Sequence, residues 1–385
     1  MLTQDMVQYI EAHRQEAYEL LLELARIPAP SNHEEKRAAF CSKWLKDQGA
    51  RGVYVDEALN VVYPVDIKEE GPVEVFMAHT DVVFPDETEL PLRVEEGRIC
   101  CPGVGDDTAC LVCLLLVGKY IAERIDTPQW RQLRGADAPG LLLVCNAGEE
   151  GLGNLKGVRR ICREYGGRME YFCTFDSSLS SIVDRAVGSK RFRVTVRTQG
   201  GHSYSDFGRD NAIAQLSSLV DRLYRIQVPQ DGRTTYNVGM ISGGTSVNTI
   251  AQEAAMLYEF RSDRRENLDY MERRFVQTLD QARAEGADIT CEVIGVRPCE
   301  GEVDPDRKKA LTDRAVEAVS SVTGETPRCR AGSTDCNIPL SMGIPSVCVG
   351  SFRGAGAHTR QEYVETDSLE DGYKVAFEMI LGSRS

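Results

Sequence analysis

The sequence lacks the features that mark membrane, secreted and nucleic-acid-binding proteins. Its longest apolar runs, such as residues 111–117, are far shorter than a membrane span. Residues 1–5 contain no basic stretch leading into an apolar region, so we expect a cytoplasmic protein without a secretory signal. Acidic residues outnumber basic ones by 59 to 45, and the net charge of −14 argues against nucleic acid or a membrane as a partner.

The cysteines indicate the redox state of the compartment, and the histidines indicate candidate chemical sites. Thirteen cysteines, an odd number scattered along 385 residues, favour free thiols in a reducing compartment over a disulfide framework. Cys110 and Cys113 have redox or zinc spacing, but they lie in an apolar helix-like run without a second pair, so we interpret them as core thiols. Only five histidines are present, and His79 and His358 both follow strand-to-loop transitions.

The hydrophobic periodicity predicts an α/β protein interrupted by a second domain. Strands are expected at 61–67, 73–78, 141–145 and 171–175, with helices at 5–25, 34–48 and 108–124. This alternation is typical of a mixed sheet covered by helices on both faces. The pattern resumes after residue 297 with a helix at 306–322, a strand at 346–349 and a helix ending near residue 381.

The intervening segment has a β-α-β-β-α-β order. Strands are predicted at 191–197, 236–242, 253–261 and 289–296, and helices at 211–226 and 268–285. This order is that of a ferredoxin-like α+β domain. We therefore predict a catalytic domain in two parts, 1–187 and 297–385, with an inserted domain at 188–296.

A histidine and an aspartate follow the apolar strand at 73–78. His79 and Asp81 alternate with Thr80, so both side chains point to the same face. Ligands bind at the carboxyl ends of strands in open α/β sheets, and a carboxylate commonly fixes the tautomer of a metal-ligating imidazole. A purely structural cap on the strand is the alternative interpretation.

Further acidic residues and a second histidine follow other strands or glycine-rich loops. Asp106 and Asp107 precede a helix, where capping would explain one acid better than two. Glu149 and Glu150 follow the strand at 141–145, where they would repel each other unless a cation is shared or the loop is solvated. The candidate ligands are of mixed nitrogen and oxygen type: His79, Asp106, Glu150, Asp176 and His358.

These five residues would satisfy a pair of zinc-like ions if one carboxylate bridges them. Glu149 is then left over, and a non-ligand carboxylate beside such a site is the expected general base.

The sequence resembles the dinuclear zinc hydrolases that include glutamate carboxypeptidase, aminoacylase, succinyl-diaminopimelate desuccinylase and peptidase T. The matching pieces occur in family order across nearly the whole chain: His79-Thr-Asp81, Gly105-Asp106-Asp107, Gly148-Glu149-Glu150-Gly151, Asp176, Gly200-Gly201-His202-Ser203, Asn248-Thr-Ile250, Arg261 and Gly356-Ala-His358.

The resemblance implies a mixed-sheet α/β/α catalytic domain with a ferredoxin-like lid and dimerisation domain. It also implies a distribution of the metal ligands. His79 and Asp176 would hold one metal ion, Glu150 and His358 the other, and Asp106 would bridge them. The ions would be two divalent cations, zinc first, with cobalt or manganese as alternatives.

The resemblance assigns roles beyond the ligands as well. Asp81 would orient His79, and Glu149 would be the base. His202 would stabilise an oxyanion across a homodimer, while Asn248 and Arg261 would bind substrate, Arg261 through a substrate carboxylate. From the residues alone, the alternative interpretations are a turn that exposes the His202 imidazole and a strand that exposes Arg261.

Some positions depart from the family pattern. Thr108 replaces a common lysine, Ala251 follows Asn248-Thr-Ile250 where proline is usual, and no proline follows His202 closely. These departures concern the substrate pocket. Aspartate at 176, as in peptidase T-like members, favours an aminopeptidase or dipeptidase acting on small peptides. An N-acyl amino-acid deacylase and a non-catalytic metal- or peptide-binding dimer are the alternatives. Relatives also predict a cis peptide bond between Asp106 and Asp107.

Overall fold

The computed structural model describes residues 2–135 and 137–382, which form two compact units. The first unit ends at Arg185 and resumes at Gly301, and the second spans Ala186–Glu300. Within the described ranges, no helix combines the length and the apolar character needed to cross a bilayer.

The first unit is built on an eight-stranded mixed sheet. Its four central strands run parallel to one another, and the next strand on each side is antiparallel to them. The parallel centre is buried on both faces, as is usual for parallel strands. The carboxyl ends of these four parallel strands therefore meet at one edge of the sheet. In spatial order the strands are Tyr54–Val55, Val61–Val65, Gly140–Asn146, Val73–His79, Met169–Phe175, Ser346–Val349, Ser181–Ala186 and Arg328–Gly332.

Helices pack against this sheet through an extensive apolar core. The first helix begins where the Thr3 hydroxyl accepts a hydrogen bond from the Met6 amide (3.3 Å), and Pro28 prevents its continuation. The helices of this unit are Gln4–Arg26, Glu35–Asp47, Cys110–Arg124, Pro128–Arg134, Lys156–Tyr165, Pro305–Thr323, Asn337–Ser341 and Leu369–Leu381.

The helix Cys110–Arg124 is buried on nearly every side, from Cys110 to Ile121. Cys110 and Cys113 are free and buried within it, so their prediction as core thiols is confirmed. All thirteen cysteines are free. A small four-stranded sheet of short strands completes the first unit: Gly354–Ala355, Tyr363–Glu365, Arg98–Cys100 and Arg93–Glu95.

The second unit has the predicted ferredoxin-like arrangement. Its antiparallel strands lie in the order Thr234–Gly243, Glu253–Ser262, Gly188–Arg197 and Asp288–Arg297. Two helices, Ala212–Leu223 and Arg265–Ala284, bury their apolar faces against one side of this sheet. Phe192 and Phe275 pack at 4.5 Å between ring centroids in that core. A short strand pair joins Gly201–His202 to Thr249–Ile250.

The predicted fold class is confirmed, with differences at the ends of elements. The helix predicted at 108–124 begins at Cys110, because Val104–Ala109 forms an irregular turn with non-helical backbone angles at Asp106 and Asp107. Two helices, Pro128–Arg134 and Lys156–Tyr165, and the strands of the small sheet were not predicted. Lys156–Tyr165 has apolar residues at helical spacing (Val158, Ile161, Cys162 and Tyr165), a pattern that was missed in the sequence, whereas the other elements are too short to show a clear period.

Candidate metal centre

His79 is buried at the end of the central strand Val73–His79. Its Nδ1 donates a hydrogen bond to the backbone carbonyl oxygen of Asp81 at 3.0 Å. Its Nε2 lies 3.1 Å from Oδ1 of Asp106. Because Nδ1 donates to this carbonyl, Nε2 is the nitrogen that faces Asp106, and loss of its proton leaves Nε2 free to bind a metal ion.

Asp81 connects this strand end to the turn that carries Glu149 and Glu150. One of its carboxylate oxygens accepts a hydrogen bond from the backbone N–H of Glu149 (3.0 Å), and the other accepts from that of Glu150 (2.9 Å). The Ser31 hydroxyl also donates to this carboxylate (2.7 Å). The carboxylate lies 3.4 Å from Nδ1 of His79, farther than the Asp81 carbonyl. Asp81 therefore positions the turn as well as the imidazole.

Asp106 lies between two imidazoles. Its Oδ1 is 3.1 Å from Nε2 of His79, and its Oδ2 is 3.1 Å from Nε2 of His358. Nε2 of His358 is also 3.0 Å from Oε1 of Glu150. The predicted cis peptide bond between Asp106 and Asp107 is present. Each oxygen of Asp106 thus faces a different histidine, as a bridging carboxylate would.

Asp107 and Asp176 lie on the other side of His79. One carboxylate oxygen of Asp107 accepts a hydrogen bond from the backbone N–H of His79 at 2.8 Å. Asp176 directly follows the parallel strand Met169–Phe175. Ligand atoms of His79, Asp107 and Asp176 all lie within 4.8 Å of one another. No role of its own was predicted for Asp107 from the sequence, and its contact with His79 was not predicted.

The crowding of acidic groups changes several pKa values. Burial raises the pKa of Asp176 well above its ordinary value, and the charge of Asp106 adds to this effect. Burial raises the pKa of Glu150 to about 7. Hydrogen bonds to Asp106 and Glu150 raise the pKa of His358 to about 11. In the metal-free site, these ligands therefore keep protons that they would lose on binding a metal ion.

The contact between His79 and Asp106 raises the pKa of the histidine and lowers that of the aspartate. Burial alone would lower the pKa of His79, but the charge of Asp107 and hydrogen bonds to Asp106 and Asp81 raise it well above its ordinary value. Burial alone would raise the pKa of Asp106, yet hydrogen bonds from His358 and His79 lower it. Asp106 is therefore the carboxylate that remains charged between the two imidazoles.

The donor set fits divalent metal ions. Three sets of potential ligand atoms occur among the described residues, each within a span of 4.8 Å: His79 with Glu149 and Glu150; His79 with Asp107 and Asp176; and Asp106 with Glu150 and His358. Imidazole nitrogens and carboxylate oxygens are the ligands that zinc takes in catalytic sites. The third set contains both residues predicted for one ion together with the predicted bridge.

A buried acid–amide pair beside the centre was not predicted. Nδ2 of Asn146, the last residue of its strand, donates to Asp335 at 2.7 Å. The backbone carbonyl of Asn146 accepts from the N–H of Thr80 at 2.7 Å, which links this pair to the His79 strand. Burial, followed by the charge of Glu149, raises the pKa of Asp335 to about 7. Asp335 follows a strand without a periodic pattern, so only the structure identifies it.

His202 and Asn248 lie together in the second unit. Nδ1 of His202 accepts a hydrogen bond from the backbone N–H of Tyr204 at 3.2 Å, so the neutral ring carries its proton on Nε2. The backbone carbonyl of Asn248 accepts from the N–H of Ser203 at 3.0 Å. His202 is exposed, and its fixed tautomer makes Nε2 a hydrogen-bond donor.

Arg261 also lies in the second unit, on the strand Glu253–Ser262. It makes a two-pronged ion pair with Glu259, through Nε at 2.9 Å and Nη2 at 3.1 Å. Its charge is therefore already matched by a carboxylate of its own strand.

Comparisons with known proteins show similarity along nearly the whole chain. The family described as peptidase dimerisation domain matches residues 186–287. The chain is 24% identical to a succinyl-diaminopimelate desuccinylase of Corynebacterium glutamicum, over 90% of this chain and 91% of that protein. Its fold is similar to that of a tripeptidase from Staphylococcus aureus (TM-score 0.74, 22% identity, 95% of this chain and 97% of the other). A dipeptidase from Saccharomyces cerevisiae has a TM-score of 0.76 at 14% identity, covering 99% and 98% of the two chains.

Proposed function

We propose that the chain is a metal-dependent hydrolase that cleaves an amide bond in a small peptide, because the M20 peptidase dimerisation domain matches residues 186–287 and a succinyl-diaminopimelate desuccinylase is similar along nearly its whole length. An aminopeptidase or dipeptidase is the specific activity that we favour. The observation that carries the proposal is the position of Asp106, whose two oxygens face His79 and His358 at 3.1 Å each. A carboxylate in this position can serve two ions at once.

The ligands divide between two ions. We assign His79 and Asp176 to one, Glu150 and His358 to the other, and Asp106 to both, with zinc as the first choice and cobalt or manganese as alternatives. When bound, the ions supply Lewis acidity at the substrate carbonyl. Asp81 supports this centre by holding Nδ1 of His79 and the turn that carries Glu150.

Glu149 is the proposed general acid–base. It is 5% exposed, and its backbone is held by Asp81, so its position relative to the ligands is well defined. Its carboxylate accepts a proton from the attacking water and returns it to the leaving amine. An amine is a poor leaving group until it is protonated, so this second transfer completes cleavage of the amide bond.

The second unit supplies the remaining proposed groups. Nε2–H of His202 donates to the oxyanion that forms on the carbonyl oxygen, a role supported by the acceptor state of its Nδ1. Asn248, whose segment adjoins His202, binds substrate, and Arg261 binds a substrate carboxylate. We propose that the chain forms a homodimer through this unit, and that His202 acts on the partner subunit's active site.

The cytoplasmic location that we expect is supported by the thirteen free cysteines, twelve of them wholly or partly buried. We assign no nucleic-acid or membrane partner, in keeping with the net charge of −14.

The test is metal analysis of the purified protein followed by assay of matched dipeptides and N-acyl amino acids. We expect two divalent ions per chain and turnover of peptides with a free amino terminus. Turnover of the N-acyl substrates alone would show a deacylase instead. Two bound ions without turnover of any amide would contradict the proposed hydrolysis and favour a non-catalytic binding protein.

A further inference from the structure

The loop that carries Asp106 and Asp107 is contacted by two buried charged side chains from distant parts of the chain. Arg37 lies on the helix Glu35–Asp47, and Glu362 lies four residues after His358. Arg37 is 0% exposed and Glu362 is 2% exposed. Neither residue is among the proposed ligands or acid–base groups.

Arg37 links this loop to the strand end at His79. One of its terminal nitrogens, Nη1, donates to the backbone carbonyl of Thr80 at 3.0 Å and to the Thr108 hydroxyl at 3.2 Å. Its Nε donates to the carbonyl of Ile27 at 2.9 Å. Thr80 lies between His79 and Asp81, and Thr108 directly follows Asp107. One rigid guanidinium thus fixes the distance between the two segments that carry the proposed ligands.

Glu362 holds the other end of the same loop. One carboxylate oxygen accepts from the backbone N–H of Gly103 at 2.7 Å, and the other accepts from Gly105 at 2.9 Å and Asp106 at 2.7 Å. A Cβ at Gly105 would lie 2.7 Å from the Phe352 ring and 3.1 Å from the Glu362 carboxylate, so only glycine permits this approach. Because Glu362 follows His358 closely, it also ties the loop to the segment of the second histidine.

Both side chains are ionisable groups in a dry environment, where a charge is costly unless other groups compensate. Burial lowers the pKa of Arg37 to about 10, and Cys41, Cys101 and Asp81 are among the groups that oppose that shift, so Arg37 stays charged at neutral pH. Burial raises the pKa of Glu362 to about 7, and its three backbone N–H donors oppose that shift.

We infer that Arg37 and Glu362 are positioning residues for the metal centre. They hold the segment Gly103–Thr108 from opposite ends, so that Asp106 faces His79 and His358 at the same time. This inference rests on the proposed function, because it concerns the affinity of that centre for metal. Loss of supporting hydrogen bonds around metal ligands costs about tenfold to a hundredfold in metal affinity or activity.

The test is calorimetric titration of zinc into the metal-free protein, comparing wild type with Arg37→Met and Glu362→Gln. The matched controls are Arg134→Met and Glu74→Gln, which change a buried ion pair of the same unit (3.7 Å) at the opposite end of the strand from His79. We expect the first two variants to bind zinc about tenfold to a hundredfold more weakly, and the controls to bind as wild type. Thermal unfolding of each variant shows whether the controls lose a comparable amount of stability.

Three outcomes would overturn the inference. Wild-type zinc affinity in folded Arg37→Met and Glu362→Gln would remove the positioning role, and equal weakening in the controls would indicate a general loss of stability. If Arg37→Met does not fold, Thr108→Val, which removes one acceptor of Arg37, takes its place, and an unchanged affinity there would count equally against Arg37. A wild-type protein that binds no zinc, cobalt or manganese would overturn the proposed function itself.

Discussion

Metal binding at pH 7 should release more than one proton from the protein. Metal ions bind the deprotonated forms of imidazole and carboxylate ligands. In the metal-free site, the pKa of His358 is about 11 and that of Glu150 is about 7, and the pKa values of His79 and Asp176 are raised well above their ordinary values. When the ions bind, His358 loses one proton and Glu150 about half of one, and the raised pKa values of His79 and Asp176 add to this release.

This release of protons makes the metal affinity depend on pH. Since protons compete with the ions for the same atoms, metal affinity falls as the pH falls. Near pH 7 the combined affinity for the two ions should change by more than about tenfold for each pH unit, because more than one proton is exchanged. The affinity should level off only above the pKa of His358, about 11.

The number of protons can be measured by calorimetry. Zinc is titrated into the metal-free protein at pH 7 in buffers of different ionisation enthalpy, and the slope of the apparent binding enthalpy gives the number released. Asp176→Asn should release fewer protons than wild type, because the amide does not ionise and the pKa of Asp176 is raised in the metal-free site. Release of less than one proton by wild type would show that the ligands are already deprotonated, and would refute the electrostatic reasoning above.

Three substitutions test the proposed roles of individual residues. Glu149→Gln should keep both ions but lower kcat at least about 10²-fold, as expected for loss of a general base; near-normal turnover would exclude Glu149. Mixing His202→Ala chains with Glu149→Gln chains should restore activity, because a hybrid dimer pairs intact His202 with intact Glu149; demonstrated subunit exchange without rescue would contradict catalysis across the dimer. Arg261→Ala should raise KM about tenfold with little change in kcat, and Glu259→Gln, which releases Arg261, should lower KM. Unchanged KM values in both variants would remove Arg261 from substrate binding.

Much of the fold was predictable from the sequence because its central strands are long and uniformly apolar. The strands predicted at 73–78 and 141–145 match Val73–His79 and Gly140–Asn146, and both are buried throughout. Parallel pairing then brings the residues after these strands to one edge. That is why the sequence alone predicts that His79 and the pair Glu149–Glu150 lie close together.

The supporting residues could not be predicted, because their burial depends on contacts between distant segments. Arg37 stands in the polar run Glu34-Glu35-Lys36-Arg37, which is typical of an exposed helix face, yet it is fully buried. Glu362 precedes the three-residue strand Tyr363–Glu365, which is too short to show a period. Its partners are backbone N–H groups, and these leave no trace in side-chain patterns.

The central claim is a pair of ions bridged by Asp106, and X-ray diffraction at the zinc absorption edge tests it most directly. Crystals of the zinc-loaded protein should show two anomalous peaks per chain, one between His79 and Asp176 and the other between Glu150 and His358, with an oxygen of Asp106 bound to each ion. A single peak, or two peaks without Asp106 among the ligands of both, would contradict the account.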